Sequence, residues 1–338
     1  MTGRRCPERW HDLPACGIPH AGHEPDACEA PAGFDNGDTM STAIRIVQGR
    51  FGRLELLSMD TALALHARGQ LHLLLPVAGA GGAVDVRGQR YPLAPGQAVL
   101  MNAWEPHAYR PPAGQQRQLL LALYAEPGWL AAAGLPPAVR WGRACVALPP
   151  GLRVLAERLA TLMAQHEGMD EAALQAGLAV LLETLLAHQP LPQGHAGFGV
   201  VRRACDARIR KAIDYLRSHV GAELDMDTVA AEACLSRAHF FKLFRQSMHL
   251  TPALYVNALR IDAAIAGLGA GGRALRQLSD DLGFNAQSHF SRFFREHCGV
   301  SPSQYRQAVE RLPACDVAAA QRAPVAHVPA GADWRAAR

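Results

Sequence analysis

Lysine is almost missing from this chain. Of 34 basic residues in 338, only Lys211 and Lys242 are lysines. This looks like a bias of composition, so an arginine at a given place says little about a choice against lysine. Paired cysteines are missing too. The eight cysteines are scattered, and Cys145, Cys205, Cys234, Cys298 and Cys315 show no C-x-x-C spacing. That fits reduced thiols in a cytosolic protein rather than a disulfide framework. Cys6, Cys16 and Cys28 with His11, His20 and His23 crowd the first residues, in spacings that match no zinc pattern. No apolar run reaches about 18 residues without a charge or strong breaker, so no membrane span is expected. The N-terminus lacks the apolar core of a secretory signal. Net charge is only +4, but it is unevenly spread: residues 202–311 hold 16 basic and 11 acidic residues, and 41–190 hold 12 and 10. A basic C-terminal third suits a surface that displaces counterions from phosphate. An ordinary solvated arginine-rich face has the same charge.

What is present is globular text, 49% hydrophobic and long enough for two domains with separate cores. Residues 1–39 have no periodicity and are expected to be a disordered tail or a leader ahead of a true start at Met40. Residues 40–147 read as short strands between Gly and Pro breaks, with candidates at Arg53–Ser58, Leu71–Val77, Ala83–Val86, Ala98–Met101 and Gln118–Tyr124. Many short strands with regular turns point to a sandwich or small barrel. Residues 148–189 change to helical period. Leu152, Leu155, Leu159 and Leu162 form one stripe, and Leu174, Leu178, Leu181, Leu182 and Leu185 another. Either both stripes pack on the barrel, or a leucine face pairs with a second copy. Residues 190–203 read as a Pro/Gly linker, 204–312 as a helical domain, and 313–338 as a disordered Ala/Pro tail.

Within the helical part a 17-residue stretch occurs twice, 50 residues apart: HFFKLFRQSMHLTPALY at His239–Tyr255 and HFSRFFREHCGVSPSQY at His289–Tyr305. In the first copy Phe240, Leu243 and Phe244 are core positions at i, i+3 and i+4. Ser236 stands where it can cap the helix, and Thr251-Pro252 starts the next. In the second copy Phe290, Phe293 and Phe294 are the core face, Gly283 suits a tight turn, and Ser301-Pro302 repeats the cap. The residues turned outward are Ser236, Arg237, Ala238, Phe241, Lys242 and Arg245 in the first copy. In the second they are Gln287, Ser288, Ser291, Arg292 and Arg295. Gln and Arg can bond adenine and guanine edges in bidentate fashion. Arg245 and Arg295, near helix ends, suit phosphate or acidic neighbours.

The second unit, with Gly283-Phe284, Ser288-His289-Phe290, Arg292, Phe294, Gly299, Ser301-Pro302 and Tyr305-Arg306, resembles the signature of the AraC/XylS family of bacterial transcription regulators. Arg260-Ile261-x-x-Ala264 resembles the start of that family's long joining helix. The likeness covers about 207 to 311. It implies a seven-helix domain whose two reading helices enter successive major-groove segments, which repeat about every 34 Å. Three places depart from the pattern. Ser279 replaces the usual Ala, His249 stands where Gly is usual, and the glycine-rich stretch 267–272 is expected to fray the end of the joining helix.

Residues 66–107 resemble a degenerate cupin, the small barrel often found as the sensor of such regulators. His66, Arg68, His72 and Gly79 echo its first motif and Gly96 to His107 its second, with Asn102 and Trp104 where Pro and Gly are usual. An arginine at a ligand position cannot bind metal in practice, so no metal, cofactor or catalytic residue is assigned. His66, Arg68, His72 and His107 are instead the candidate contacts for a small-molecule effector. The fold class expected is α+β in two domains: an N-terminal cupin-like β-barrel plus helices, and a C-terminal all-α domain with two helix-turn-helix units. The function expected is a cytoplasmic, nucleoid-associated transcription regulator. It would be a small-molecule-responsive activator binding double-stranded promoter DNA as a homodimer, with RNA polymerase as a further partner and no membrane. Two alternatives are a metal-dependent cupin enzyme fused to a DNA-binding module, and a ligand-independent repressor with an inert barrel. A DNA-repair methyltransferase would need a zinc-spaced cysteine cluster and a reactive Pro-Cys-His-like site, and the sequence has neither.

Overall fold

Turn residues and apolar alternation cut the first half of the chain into strands. The structure is a computed structural model that describes residues 41–114, 116–135, 140–165, 170–188, 206–222 and 224–312. The expectations for 1–39, 190–203 and 313–338 lie outside those residues. The strands are β1 (Thr42–Gly49), β2 (Gly52–Met59), β3 (Leu71–Ala78), β4 (Ala83–Val86), β5 (Gln89–Pro92), β6 (Gln97–Met101), β7 (His107–Arg110), β8 (Gln118–Ala125), β9 (Cys145–Ala147) and β10 (Val309–Arg311). They form a seven-stranded sheet in the order β10-β1-β2-β8-β3-β6-β9 and a three-stranded sheet β5-β4-β7. Each of the five sequence candidates lies within an observed strand. The short β5, β7 and β9 were too brief to show a period.

Strand β8 shows why the large sheet reads as nearly continuous apolar text. Side chains alternate across a strand. Leu121, Leu123 and Ala125 join the core under the helices, whereas Leu120, Ala122 and Tyr124 join the core inside the barrel. Helices α1 (Pro127–Ala132), α2 (Pro150–Gln165) and α3 (Glu171–Ala187) cover the first face. Asp170 caps α3 by accepting from the amides of Ala172 and Ala173. All five leucines of the α3 stripe are buried against the chain's own sheet. On α2 the buried face is Leu152, Ala156, Leu159, Ala160 and Met163. Leu155 is only half-buried, and Leu162 is 41% exposed. At about 100° per residue, Leu162 lies about 80° around the helix from Leu152. The stripes therefore pack on the barrel, and neither offers a whole leucine face to a second copy.

The remaining helices are α4 (Ala207–Ser218), α5 (Met226–Glu232), α6 (Arg237–Met248), α7 (Pro252–Ala270), α8 (Leu275–Asp281), α9 (Gln287–Cys298) and α10 (Pro302–Ala308). Helices α5–α6 and α8–α9 are the two helix-turn-helix units, and α7 joins them. Contrary to the fraying expected from its glycines, α7 runs unbroken through Gly267 and Gly269 to Ala270. The side chain of Leu278 sits against Gly267 and that of Gln48 against Gly269. These close approaches use the missing side chains. By length and composition α7 is apolar enough to cross a membrane. It carries Arg260 and Asp262 at its middle, however, and buries Tyr255, Ile261, Ala264 and Leu268 within this chain.

The two domains expected from the sequence are present, but their cores are not wholly separate. Phe290, Phe294 and Tyr305 of the second unit share one apolar cluster with Ile46, Leu57, Val84 and Tyr109 of the barrel. The first unit has its own cluster, which Ala67 and Trp104 enter from the barrel side, with Trp104 against Tyr255 at 4.7 Å between ring centres. Strand β10 closes the arrangement by pairing in parallel with β1, Ile46 opposite Val309. An amphipathic pattern shows that a face is buried but not against what. That is why the merger was invisible in the sequence.

Candidate nucleic-acid interface and barrel interior

Both reading helices bury one face and leave the other open. On α6, Phe240, Phe244 and Met248 are buried. Ala238, Lys242 and Arg245, at i, i+4 and i+7, lie on the opposite exposed side. Ser236 is exposed and caps the helix, its hydroxyl accepting from the His239 amide. Arg237 donates to Asp227 at 2.8 Å, and its guanidinium lies 5.6 Å from the ring of half-buried Phe241. On α9, Phe290, Phe294 and His297 are buried, and Gln287, Ser288, Arg292 and Arg295 are exposed, with Ser291 half-buried. Its N-cap is Ala286, which supplies no side-chain acceptor. Of the residues singled out in the sequence, all but half-buried Phe241 and Ser291 are exposed. His239 and His289, also exposed, were passed over. Their identity between the two copies was the signal.

The two heads are fixed relative to each other. Arg260 of α7 donates to the carbonyls of Val220 and Ala222, both at 3.3 Å. Gly221 lies so close to the end of α8 that a methyl group there would run into the backbone oxygen of Asp281. The barrel holds the far end of α9. The last carbonyls of a helix have no intrahelical donor. Here the amide of Ala64 donates to the Glu296 carbonyl at 2.8 Å, and Arg68 Nη2 donates to that of His297 at 3.0 Å.

His66, Arg68, His72 and His107 do come together, inside the barrel, and each is at most 3% exposed. His66 and His107 pair across an isolated bridge. His107 Nδ1 lies 2.8 Å from the Glu105 carbonyl, and His66 Nδ1 lies 2.7 Å from that of Ala64. A carbonyl only accepts, so both Nδ1 atoms carry the proton. His107 Nε2 must then accept from His72 Nδ1, 3.3 Å away. Burial, together with neighbouring His107 and Arg68, holds His66 and His72 well below the usual imidazole range. Burial pushes His107 down to about 4. The cluster is neutral. With both nitrogens of His107 engaged, it does not present three free ring nitrogens for a metal. Among the described residues no group of three His, Cys, Asp or Glu side chains is arranged to hold one. The cavity left in the barrel is about 30 Å³ and is lined on one side by His297 and Cys298 of α9. That is room for about two water molecules. The second reading head plugs the barrel.

Sequence comparison matches residues 229–308 to a helix-turn-helix domain and residues 55–182 to an AraC-like ligand binding domain. The regulatory protein SoxS of Salmonella typhimurium is 31% identical over 98 residues, which cover 29% of this chain and 92% of that protein. The chain belongs to the AraC/XylS family. The arabinose operon regulatory protein of Salmonella typhimurium is 31% identical over 106 residues, covering 31% of this chain and 38% of that one. An uncharacterized HTH-type regulator of Haemophilus influenzae is 25% identical over 130 residues, covering 38% and 43%. The chain thus spans less than half the length of these longer relatives. A crystal structure of apo ToxT K231A from Vibrio cholerae has the same overall fold at 11% identity, with a TM-score of 0.51, and the match covers 76% of this chain and 98% of that one.

The departures from the AraC/XylS pattern have a physical form here. His249 ends α6 in the left-handed region at φ 57°, where Gly299 ends α9 at φ 79°. Ser279, in place of Ala, is fully buried and its hydroxyl has no hydrogen-bond partner.

Proposed function

We propose that this AraC/XylS member is a sequence-specific transcription regulator that binds double-stranded promoter DNA through α6 and α9. The observation that carries the reading is the selective exposure of the two helices. Phe240, Phe244 and Met248 of one and Phe290, Phe294 and His297 of the other are packed into the chain, and the faces left open carry Lys242, Arg245, Gln287, Ser288, Arg292 and Arg295. The second head is equipped for base edges. The first, with Ala238 and Phe241 toward its open side, is better equipped for methyl, shape or phosphate contact. Its relatives are regulators rather than enzymes, and a plugged barrel with neutral histidines fits a sensor better than a reaction site. In this reading the protein works in the cytoplasm on the nucleoid, as a small-molecule-responsive activator. Homodimer formation and contact with RNA polymerase complete it, and the dimer would use a surface other than the buried leucine stripes. Genome-wide mapping of bound sites by the full chain, followed by titration of a mapped site, tests it. Arg292→Ala is expected to weaken the specific site by about 1–3 kcal/mol while leaving random-sequence DNA nearly unchanged. Equal losses on both would reassign Arg292 to phosphate, and absence of any preferred site would sink the reading.

A further inference from the structure

A larger cavity lies away from the histidine cluster. It measures about 420 Å³ and is bounded by the β1–β2 turn, the end of β8, the start of α3, the middle of α7 and residues 311–312. That is the size of a small-molecule site. Its inner wall includes Tyr124, with the Arg53 guanidinium 3.9 Å from the ring centre. Arg53 is already ion-paired with Glu55 at 2.5 Å. Glu126 likewise accepts from Gln70 Nε2 at 3.0 Å.

Three other oxygens in these walls have no partner. They are Glu171 Oε2, Asp262 Oδ1 and Gln70 Oε1. Glu171 is 8% exposed, and its second oxygen is taken by Gln175 at 2.8 Å. The Glu171 carboxylate lies against Gly49 of the turn, and that of Asp262 lies beside Gly69. Acceptors therefore stand on two sides of the groove. Buried carboxylate oxygens without donors are expensive to hold, and burial holds the Asp262 carboxyl above its ordinary range. At the rim the charge reverses, because Arg50 and Arg311 are exposed there.

We propose that this groove binds a small zwitterion of the amino-acid type. Its ammonium group donates to Asp262, Glu171 and Gln70, and its anionic end lies outward toward Arg50 and Arg311. A primary ammonium carries three donors and no acceptor, which is what an inner wall of unpartnered oxygens lacks. The site joins the barrel to α7, the helix that spaces the two heads. The inference therefore names an effector class for the regulator proposed above and rests on that reading only for its consequence, not for the binding itself.

The test uses the full chain without DNA. Thermal shift and calorimetric titration are run with the common α- and ω-amino acids, their N-acetyl forms, and neutral pentoses and hexoses. At least one amino acid is expected to bind and raise Tm, and its N-acetyl form is expected to bind at least about tenfold more weakly, a difference of about 1.4 kcal/mol. Glu171→Gln and Asp262→Asn are each expected to lose binding to the same degree. Apo Asp262→Asn should melt no lower than wild type, since an unpaired buried carboxylate has been removed. If either variant fails to fold, exposed Arg50→Gln remains as a probe and should weaken binding of the zwitterion. The inference is overturned if no amino acid binds, if N-acetyl forms or sugars bind as well, or if folded variants bind like wild type. DNA binding, measured separately, keeps the two claims apart. Specific DNA binding with no amino-acid binding removes the effector class alone. Amino-acid binding with no DNA binding removes the regulator reading alone.

Discussion

Acidification from pH 7 to pH 5 is expected to destabilise the protein through its barrel interior. Unfolded, an imidazole titrates near 6.5, whereas His107 in the fold is held at about 4 by burial. Between those values the unfolded chain binds a proton that the native chain refuses, so stability falls as pH falls through that window. The full shift corresponds to about 3 kcal/mol, of which about 2 kcal/mol is lost by pH 5. His66 and His72 are also held well below the usual imidazole range, first by burial and then by His107. Each imidazole kept neutral in the fold adds its own loss over this window, so the comparison below reads out the share of His107 alone. Asp262 works in the opposite direction. Burial raises its carboxyl, so its stability penalty is relieved as pH falls toward that raised value. A comparison isolates the histidine. Urea unfolding, followed by tryptophan fluorescence and circular dichroism, would be measured from pH 7 to pH 5 for wild type and His107→Gln. The glutamine keeps a donor for the Glu105 carbonyl and an acceptor for His72, but does not titrate. Wild type should lose about 2 kcal/mol more across the range than the variant. A flat wild-type profile, or parallel profiles, would refute a neutral buried cluster.

Two substitutions test the packing of the heads. Gly221→Ala is expected to destabilise by about 1–3 kcal/mol and to weaken operator binding, because the new methyl meets the Asp281 backbone oxygen, which cannot rotate away. Unchanged melting and DNA affinity would show that the two heads are not held by this contact. Ser279→Ala is expected to stabilise by about 1 kcal/mol, because a buried hydroxyl without a partner is removed at little loss of volume. A lower Tm for that variant would mean that the hydroxyl has a partner in solution.

Much of the fold was legible because its signals are local. Alternation and Gly/Pro breaks marked β2, β3, β4, β6 and β8. The repeated His-Phe, Phe-Arg and Pro-Tyr spacings marked both reading helices, and Ser236, Thr251 and Ser301 all cap as their positions implied. What was not legible depends on partners far along the chain. Leu162 belongs to the leucine spacing of α2 yet faces out, because only the docked sheet decides where the buried face is centred. The groove brings Arg53, Gln70, Glu171 and Asp262 together from three elements and the loop before β3. No spacing rule connects them. The barrel histidines were found by motif, but the plug that closes their cavity comes from α9, some 190 residues later than His107.

That plug constrains how a small molecule can act on the heads. A ligand shifts an equilibrium only by its differential affinity for the two states. A molecule bigger than water entering the barrel interior must displace His297 and Cys298, and with them the Arg68 and Ala64 bonds that terminate α9. It would stabilise only a state in which the second head has left the barrel. The groove makes the opposite demand. Its space exists with the heads docked, and Asp262 and Ile265 bring α7 into its wall. A ligand there adds contacts that span barrel and α7, and so stabilises the docked state. The two cavities thus favour opposite states of one junction, and linkage requires that ligands in them oppose each other. Because strand β10 joins β1 and the Phe290–Phe294 core is continuous with the barrel, undocking must also break β-pairing and expose apolar surface. An effector that fits the docked arrangement leaves that pairing and that core in place.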